Sequence, residues 1–161
     1  MYTVNIGNKH FTLDNKQTIL SLVDDPDKRY VCAKVNNRLR ELSYELSFDC
    51  DVQLLDLKDA DAVKVYETSL RYMIAMAFHN VYPDYKIKIC YGVSRSLMVT
   101  IMSPSVKPDG KMVEAVTAEM RRLVALNLPF ERMSMSKTDA YDMFVANGDL
   151  DKALTLQYRP E

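Results

Sequence analysis

Glycine is scarce in this chain, with four in 161 residues. That scarcity excludes the glycine-rich loops that cradle phosphates. A P-loop of the form GxxxxGK[ST] needs its first glycine five residues before the second. Gly110-Lys111 is the one Gly-Lys pair, and Ser105 and Met112 stand where a glycine and a hydroxyl residue would be needed. No CxxC occurs, and the three cysteines Cys32, Cys50 and Cys90 are odd in number and far apart. They read as reduced thiols of an intracellular protein. There is no charge excess of either sign: the formal net charge is −1, so no global basic field drives unspecific nucleic-acid binding. Met1 is followed by a strand-like TVNI rather than a basic run and an apolar core, so a signal peptide is not expected. The longest apolar stretch is interrupted by Glu67, Arg71 and His79, which argues against a membrane span. A cytoplasmic protein without membrane contact is expected.

What is present is ordinary for a globular chain: 48% hydrophobic and 27% charged residues, with ten methionines suited to irregular core gaps. The dominant element is Ala62 to Pro83. Val63, Tyr66, Leu70, Met73, Ile74, Ala77, Phe78 and Val81 recur in steps of three and four, which places them on one helical face. Val65, Tyr72 and Met76 widen that face, so a central, covered helix is expected. Asp59 or Asp61 is placed to accept from its first-turn N–H groups, and Pro83 to stop it.

Around that helix the pattern changes. Before it, residues 2–6 and 10–13 alternate about Gly7-Asn8 as a hairpin. Residues 17–23 read as a short helix. Residues 30–35, 38–42 and 52–57 read as strands, with Asn36-Asn37 a turn. Two strands, a helix and further strands is the order of a β-grasp domain. After the long helix, residues 85–90 and 97–102 read as strands about a turn at Tyr91-Gly92. Residues 112–126 form a second helix, 130–135 a short strand, and two more helices come after it, opened by Ser136 and divided at Asn147-Gly148. The fold class is α+β, with a β-grasp (ubiquitin-like) domain over 1–58 and an α+β domain with a long central helix over 59–161. The ending at Arg159-Pro160-Glu161, with no terminating element, points to a piece of a longer protein.

The first half resembles a TGS domain, the β-grasp module of threonyl-tRNA synthetases and some nucleoside kinases. Asn15-Lys16-Gln17-Thr18-Ile19 and Ala33 to Leu42, AKVNNRLREL, carry that resemblance. The second half resembles the additional, editing-like domain that comes after TGS in those proteins. Its marks are Tyr66-Glu67-Thr68-Ser69-Leu70, Tyr82-Pro83, Leu128-Pro129-Phe130, Ala140-Tyr141-Asp142-Met143-Phe144 and Gly148-Asp149-Leu150-Asp151-Lys152. The resemblance spans nearly the whole chain. In the synthetases the long helix carries an HxxxH pair of the editing site. Counted back from Tyr82-Pro83, those places hold Thr68 and Tyr72, which cannot replace imidazole as base or ligand. Tyr91-Gly92 stands where the resemblance implies His-Ser.

The form without HxxxH resembles the N-terminal region of uridine-kinase-like nucleoside kinases. That implies a non-catalytic ligand- or RNA-binding or regulatory module. Its partner would be a C-terminal kinase domain absent from this chain, and ATP and Mg would be needed only there. The alternative is a divergent aminoacyl-tRNA editing-type hydrolase domain of a threonyl-tRNA-synthetase-like protein, working through substrate and water positioning. A packing or oligomerisation module is the third reading.

Two residue sets are candidates. Thr68, Tyr72, Met76 and His79 share a helical face, as a remnant pocket for a nucleoside-like or aminoacyl-like group or as plain packing. Lys34, Arg38 and Arg40 form a small basic patch for RNA phosphates, or an ordinary solvated surface balanced by nearby acids. No catalytic residue is assigned: Ser94 and Ser96 with His79 lack an orienting acid. No metal site is assigned either, since Asp49, Asp51, Asp56, Asp59 and Asp61 lack the spacing of a calcium loop.

Overall fold

The computed structural model describes residues 1–93, 96–131 and 133–159. By its contacts the chain forms two units, Met1–Leu126 and Asn127–Glu161. The first begins with the hairpin β1 (Tyr2–Ile6) and β2 (Lys9–Leu13), followed by β3 (Gln17–Thr18) and the single-turn helix α1 (Ile19–Leu22). Then come β4 (Tyr30–Val35), β5 (Arg38–Arg40), β6 (Glu45–Leu46) and β7 (Cys50–Asp56). Five of these strands make one sheet in the order β2-β1-β7-β4-β5, while β3 pairs with β6. β1 runs parallel to β7 and β4 antiparallel to it. This mixed sheet with a helix between its hairpins is the expected β-grasp, and the α+β class is borne out.

Local chemistry explains each corner. Gly7 takes a φ of 57° at the first hairpin turn. Asn36 and Asn37 both adopt left-handed backbone, with φ of 45° and 64°, as a two-residue hairpin turn demands. Thr18 caps α1 by accepting from the Ser21 N–H.

Successive side chains point to opposite sides of the sheet; one face is buried under α1, and the other is covered only over β4 and β7. Val4, Ile6, Ala33, Val35, Cys50 and Val52 pack with Ile19 of α1 and with Leu46. Cys32 and Leu55, on the other side, pack with Ala62 at the start of the next helix. That helix, α2 (Ala60–Val81), contacts β4 and β7 and later α3 and β8. β8 (Ile87–Val93) and β9 (Ser96–Ile101) form a two-stranded sheet, and α3 is Gly110–Leu126. Asn80 of α2 donates to the Glu119 carboxylate of α3 over 2.8 Å.

Four details depart from the sequence reading. α2 is less covered than its apolar circumference implied: Ala62, Ala77 and Phe78 are buried, but Tyr66 is 50% and Tyr72 62% exposed. Asp59 does not cap α2; its carboxylate accepts the Asp56 N–H at 3.2 Å instead. Tyr91-Gly92 is not the hairpin turn but part of β8, whose last pair with β9 is Val93 with Ser96. Gly92 instead adjoins a register shift in the β8–β9 pairing, a common place for a strand glycine. The described part of 130–135 forms no strand.

The second unit holds α4 (Lys137–Ala146) and α5 (Leu150–Leu156), which pack on each other. Ser136 caps α4 by accepting from the Asp139 N–H, and Gly148, at φ 74°, turns the chain between the helices. Among its described residues only Ala153 is buried, while Phe130 is 70% and Met133 72% exposed.

Candidate functional site

The stripe Thr68, Tyr72, Met76 and His79 results from helical spacing on α2. Met76 is half-buried and the other three are exposed. The Thr68 hydroxyl donates to the Lys64 carbonyl one turn back at 2.8 Å, the usual local bond of a mid-helix threonine. His79 sits in the last turn of the helix.

The basic set divides between two sides of the sheet. Lys34 lies on β4 between Ala33 and Val35, so its side chain points away from theirs. Its Nζ is 2.8 Å from Asp61 Oδ2 at the start of α2. The hydrogen bond to Lys34, reinforced by its charge, holds the Asp61 carboxyl below the usual aspartate range. The same bond to Asp61 raises Lys34 above the usual lysine value. Lys34 is thus a strut between sheet and helix.

Arg38 and Arg40 belong to β5, opposite Val35 and Ala33 in the ladder. They lie on the α1 side of the sheet, on a strand whose other edge is unpaired in that sheet. There Val35, Asn36, Arg38, Arg40, Tyr44 and Phe48 line a cavity of about 490 Å³. The Arg40 guanidinium lies over the Tyr44 ring, 4.9 Å from its centroid, and Phe48 is 42% exposed. Among the described residues neither arginine makes an ion pair. The sequence reading missed Tyr44 and Phe48. Their signal was the interleaving of basic and aromatic residues over 38–48, in a segment without strong periodicity. None of the four α2 candidates lines this cavity.

The clustered aspartates have separate partners. Asp49 accepts the Thr3 N–H, Asp51 the Asn5 amide, Asp56 the Lys58 N–H and Asp59 the Asp56 N–H. Among the described residues no group of three His, Cys, Asp or Glu side chains converges to hold a metal. His10 is exposed, with Nδ1 2.7 Å from Asn5 Oδ1. Ser94 lies outside the described residues.

No family model matches the chain. Among curated proteins it is similar to threonine–tRNA ligases. It is 30% identical over 118 residues to that of Desulforapulum autotrophicum, covering 73% of this chain and 18% of the ligase. Over 135 residues it is 27% identical to that of Symbiobacterium thermophilum and 29% to that of Methylococcus capsulatus. Each covers 83% of this chain, and 20% and 21% of the ligase respectively. The chain spans about a fifth of the length of these relatives.

These relatives overturn the uridine-kinase reading, and none of them supports the kinase domain expected as a partner. That reading rested on two positions, Thr68 and Tyr72. The similarity to the ligases, by contrast, runs along 73% to 83% of the chain. Among the described residues no helix is long and apolar enough to cross a membrane.

Proposed function

We propose that this chain is a divergent editing-type module of a threonyl-tRNA-synthetase-like protein, working on the aminoacyl end of tRNA. The supporting observation is similarity to threonine–tRNA ligases over 73% to 83% of the chain. The β-grasp followed by the long helix and its hairpin accords with it. Imidazole is missing from the two helix positions where the resemblance places it. Ester hydrolysis would therefore depend on positioning: the Tyr72 and Thr68 hydroxyls orient the aminoacyl group and an attacking water. Neither hydroxyl serves as a general base at neutral pH.

A second reading, a module that holds tRNA without hydrolysing it, is favoured by one observation. The Thr68 hydroxyl is already donating to the Lys64 carbonyl. Incubation of the chain with seryl-tRNA separates the two. Deacylation above the buffer rate that falls at least tenfold in Thr68→Val or Tyr72→Phe supports the hydrolase. Tight tRNA binding without deacylation leaves the second reading, and absence of both removes the tRNA assignment.

A further inference from the structure

The cavity beside β5 combines two features that an ordinary solvated surface does not need together. The first is a pair of guanidiniums, Arg38 and Arg40, on one face of an edge strand. Among the described residues neither forms an ion pair, and several acids near them in sequence have other partners. Glu45 lies 3.8 Å from Lys16, Asp49 accepts the Thr3 N–H and Asp51 the Asn5 amide. The second is a pair of aromatic rings, Tyr44 and Phe48, lining the same cavity. Arginines on an edge strand can serve simply to discourage pairing with another chain. That purpose explains the charges, and packing against the α1-side core explains part of Tyr44, but the 42% exposed Phe48 ring is left unexplained, since it adds an apolar patch to the edge.

We propose that this cavity binds an unpaired nucleotide of an RNA strand, its phosphates on Arg38 and Arg40 and its base against Phe48 and the Arg40–Tyr44 stack. The ligand must be anionic and carry a flat ring, which selects nucleotides over acidic peptides. Bases splayed from a strand are read by stacking on aromatic rings and guanidinium planes, whereas paired bases are not available for it. A volume of about 490 Å³ is within the range of small-molecule sites and suits one nucleotide. The choice of an RNA strand over a free nucleotide rests on the tRNA-directed reading above. The cavity itself stands apart from the α2 stripe. Lys34 has no part in it, being engaged with Asp61 on the opposite face of the sheet.

The test uses the 1–161 chain and a fluorescent single-stranded RNA decamer, with the same decamer in duplex form and adenosine monophosphate as competitors. Binding of the single strand should weaken roughly tenfold in Phe48→Leu, which keeps an apolar side chain but removes the ring. Arg38→Gln and Arg40→Gln should each reduce the slope of log affinity against log salt by about 0.7. Lys34→Gln should leave both quantities unchanged, and circular dichroism checks that each variant is folded. Equal affinity for duplex and single strand, or an unchanged affinity in Phe48→Leu, overturns the proposal. Competition by the monophosphate as effective as by unlabelled decamer, per nucleotide, overturns the choice of a strand. The decamer carries no aminoacyl ester, so failure here is distinct from failure of the deacylation assay.

Discussion

Lys34 on β4 and Asp61 in the first turn of α2 meet at 2.8 Å, joining the face of the β-grasp sheet to the helix that comes after it. Both side chains are partly exposed, at 28% and 40%, so solvent screens the pair and its effect on stability is modest. It operates within a pH window. Asp61 is held below its ordinary value of 3.8, so its contribution is present above that value and lost as pH falls through its lower folded pKa. Lys34 is raised above 10.5, so its contribution is present below that value and lost as pH climbs through the higher folded pKa. A double-mutant cycle with Lys34→Gln and Asp61→Asn, read by urea midpoint, should show favourable coupling at pH 7 that vanishes at both extremes. Equal coupling at pH 2 and pH 7 would contradict it.

Glu119 of α3 accepts from Arg122 and from Asn80 of α2, and these bonds bring its pKa down to about 2. Its contribution is complete above the ordinary glutamate range and disappears as pH falls toward about 2. Glu119→Gln should therefore flatten the acid limb of the stability curve between pH 4.5 and 2. Identical acid limbs in the two proteins would remove the carboxylate from the α2–α3 joint.

Phe78 is 6% exposed and its ring lies 5.6 Å from that of Tyr82. Its replacement by alanine deletes buried apolar volume near the end of α2. The expected cost is roughly 3 to 5 kcal/mol, read as a lower denaturant midpoint at similar slope. A loss under about 1 kcal/mol would mean the site collapses around the gap, or that this end of α2 opens before the rest.

The thiols should differ in reactivity. Burial pushes the Cys32 and Cys50 thiols up, and the neighbouring aspartates add to it. Cys90 is only half-buried, on the β8–β9 sheet. Thiol titration of the folded chain should therefore label Cys90 first, with Cys32 and Cys50 reacting only on unfolding. Rapid labelling of Cys32 without denaturant would show that the contact between the sheet and α2 opens readily.

Periodicity made the β-grasp and α2 legible, because both bury one face against a neighbour and so carry their period in the apolar residues. The first hairpin and the Asn36-Asn37 turn were legible from backbone chemistry. What failed needed a partner to be known. Lys34 and Arg38 look equivalent along the chain, but strand alternation and the placement of α2 send them to different sides of the sheet. The Tyr91-Gly92 turn failed because a glycine at a strand irregularity looks like a glycine at a turn. Tyr44 and Phe48 lie between elements, where no period marks an apolar residue as buried or displayed. Asp59 was placed by its position in sequence at the helix start, yet it turned back to the strand that precedes it.

Cys32 and Ala33 are consecutive on β4, yet one is packed with Ala62 of α2 and the other in the core that includes Ile19 of α1. β4 therefore works as a shared wall between two rooms. A cut after residue 58 would keep the β-grasp ladder whole but leave Leu55, Cys32 and Val31 facing water along one side. Such an excised piece would expose the apolar side that α2 normally shelters and would tend to self-associate through it. The first part of α2 thus lines the β-grasp from outside as much as it opens the helical packing with α3.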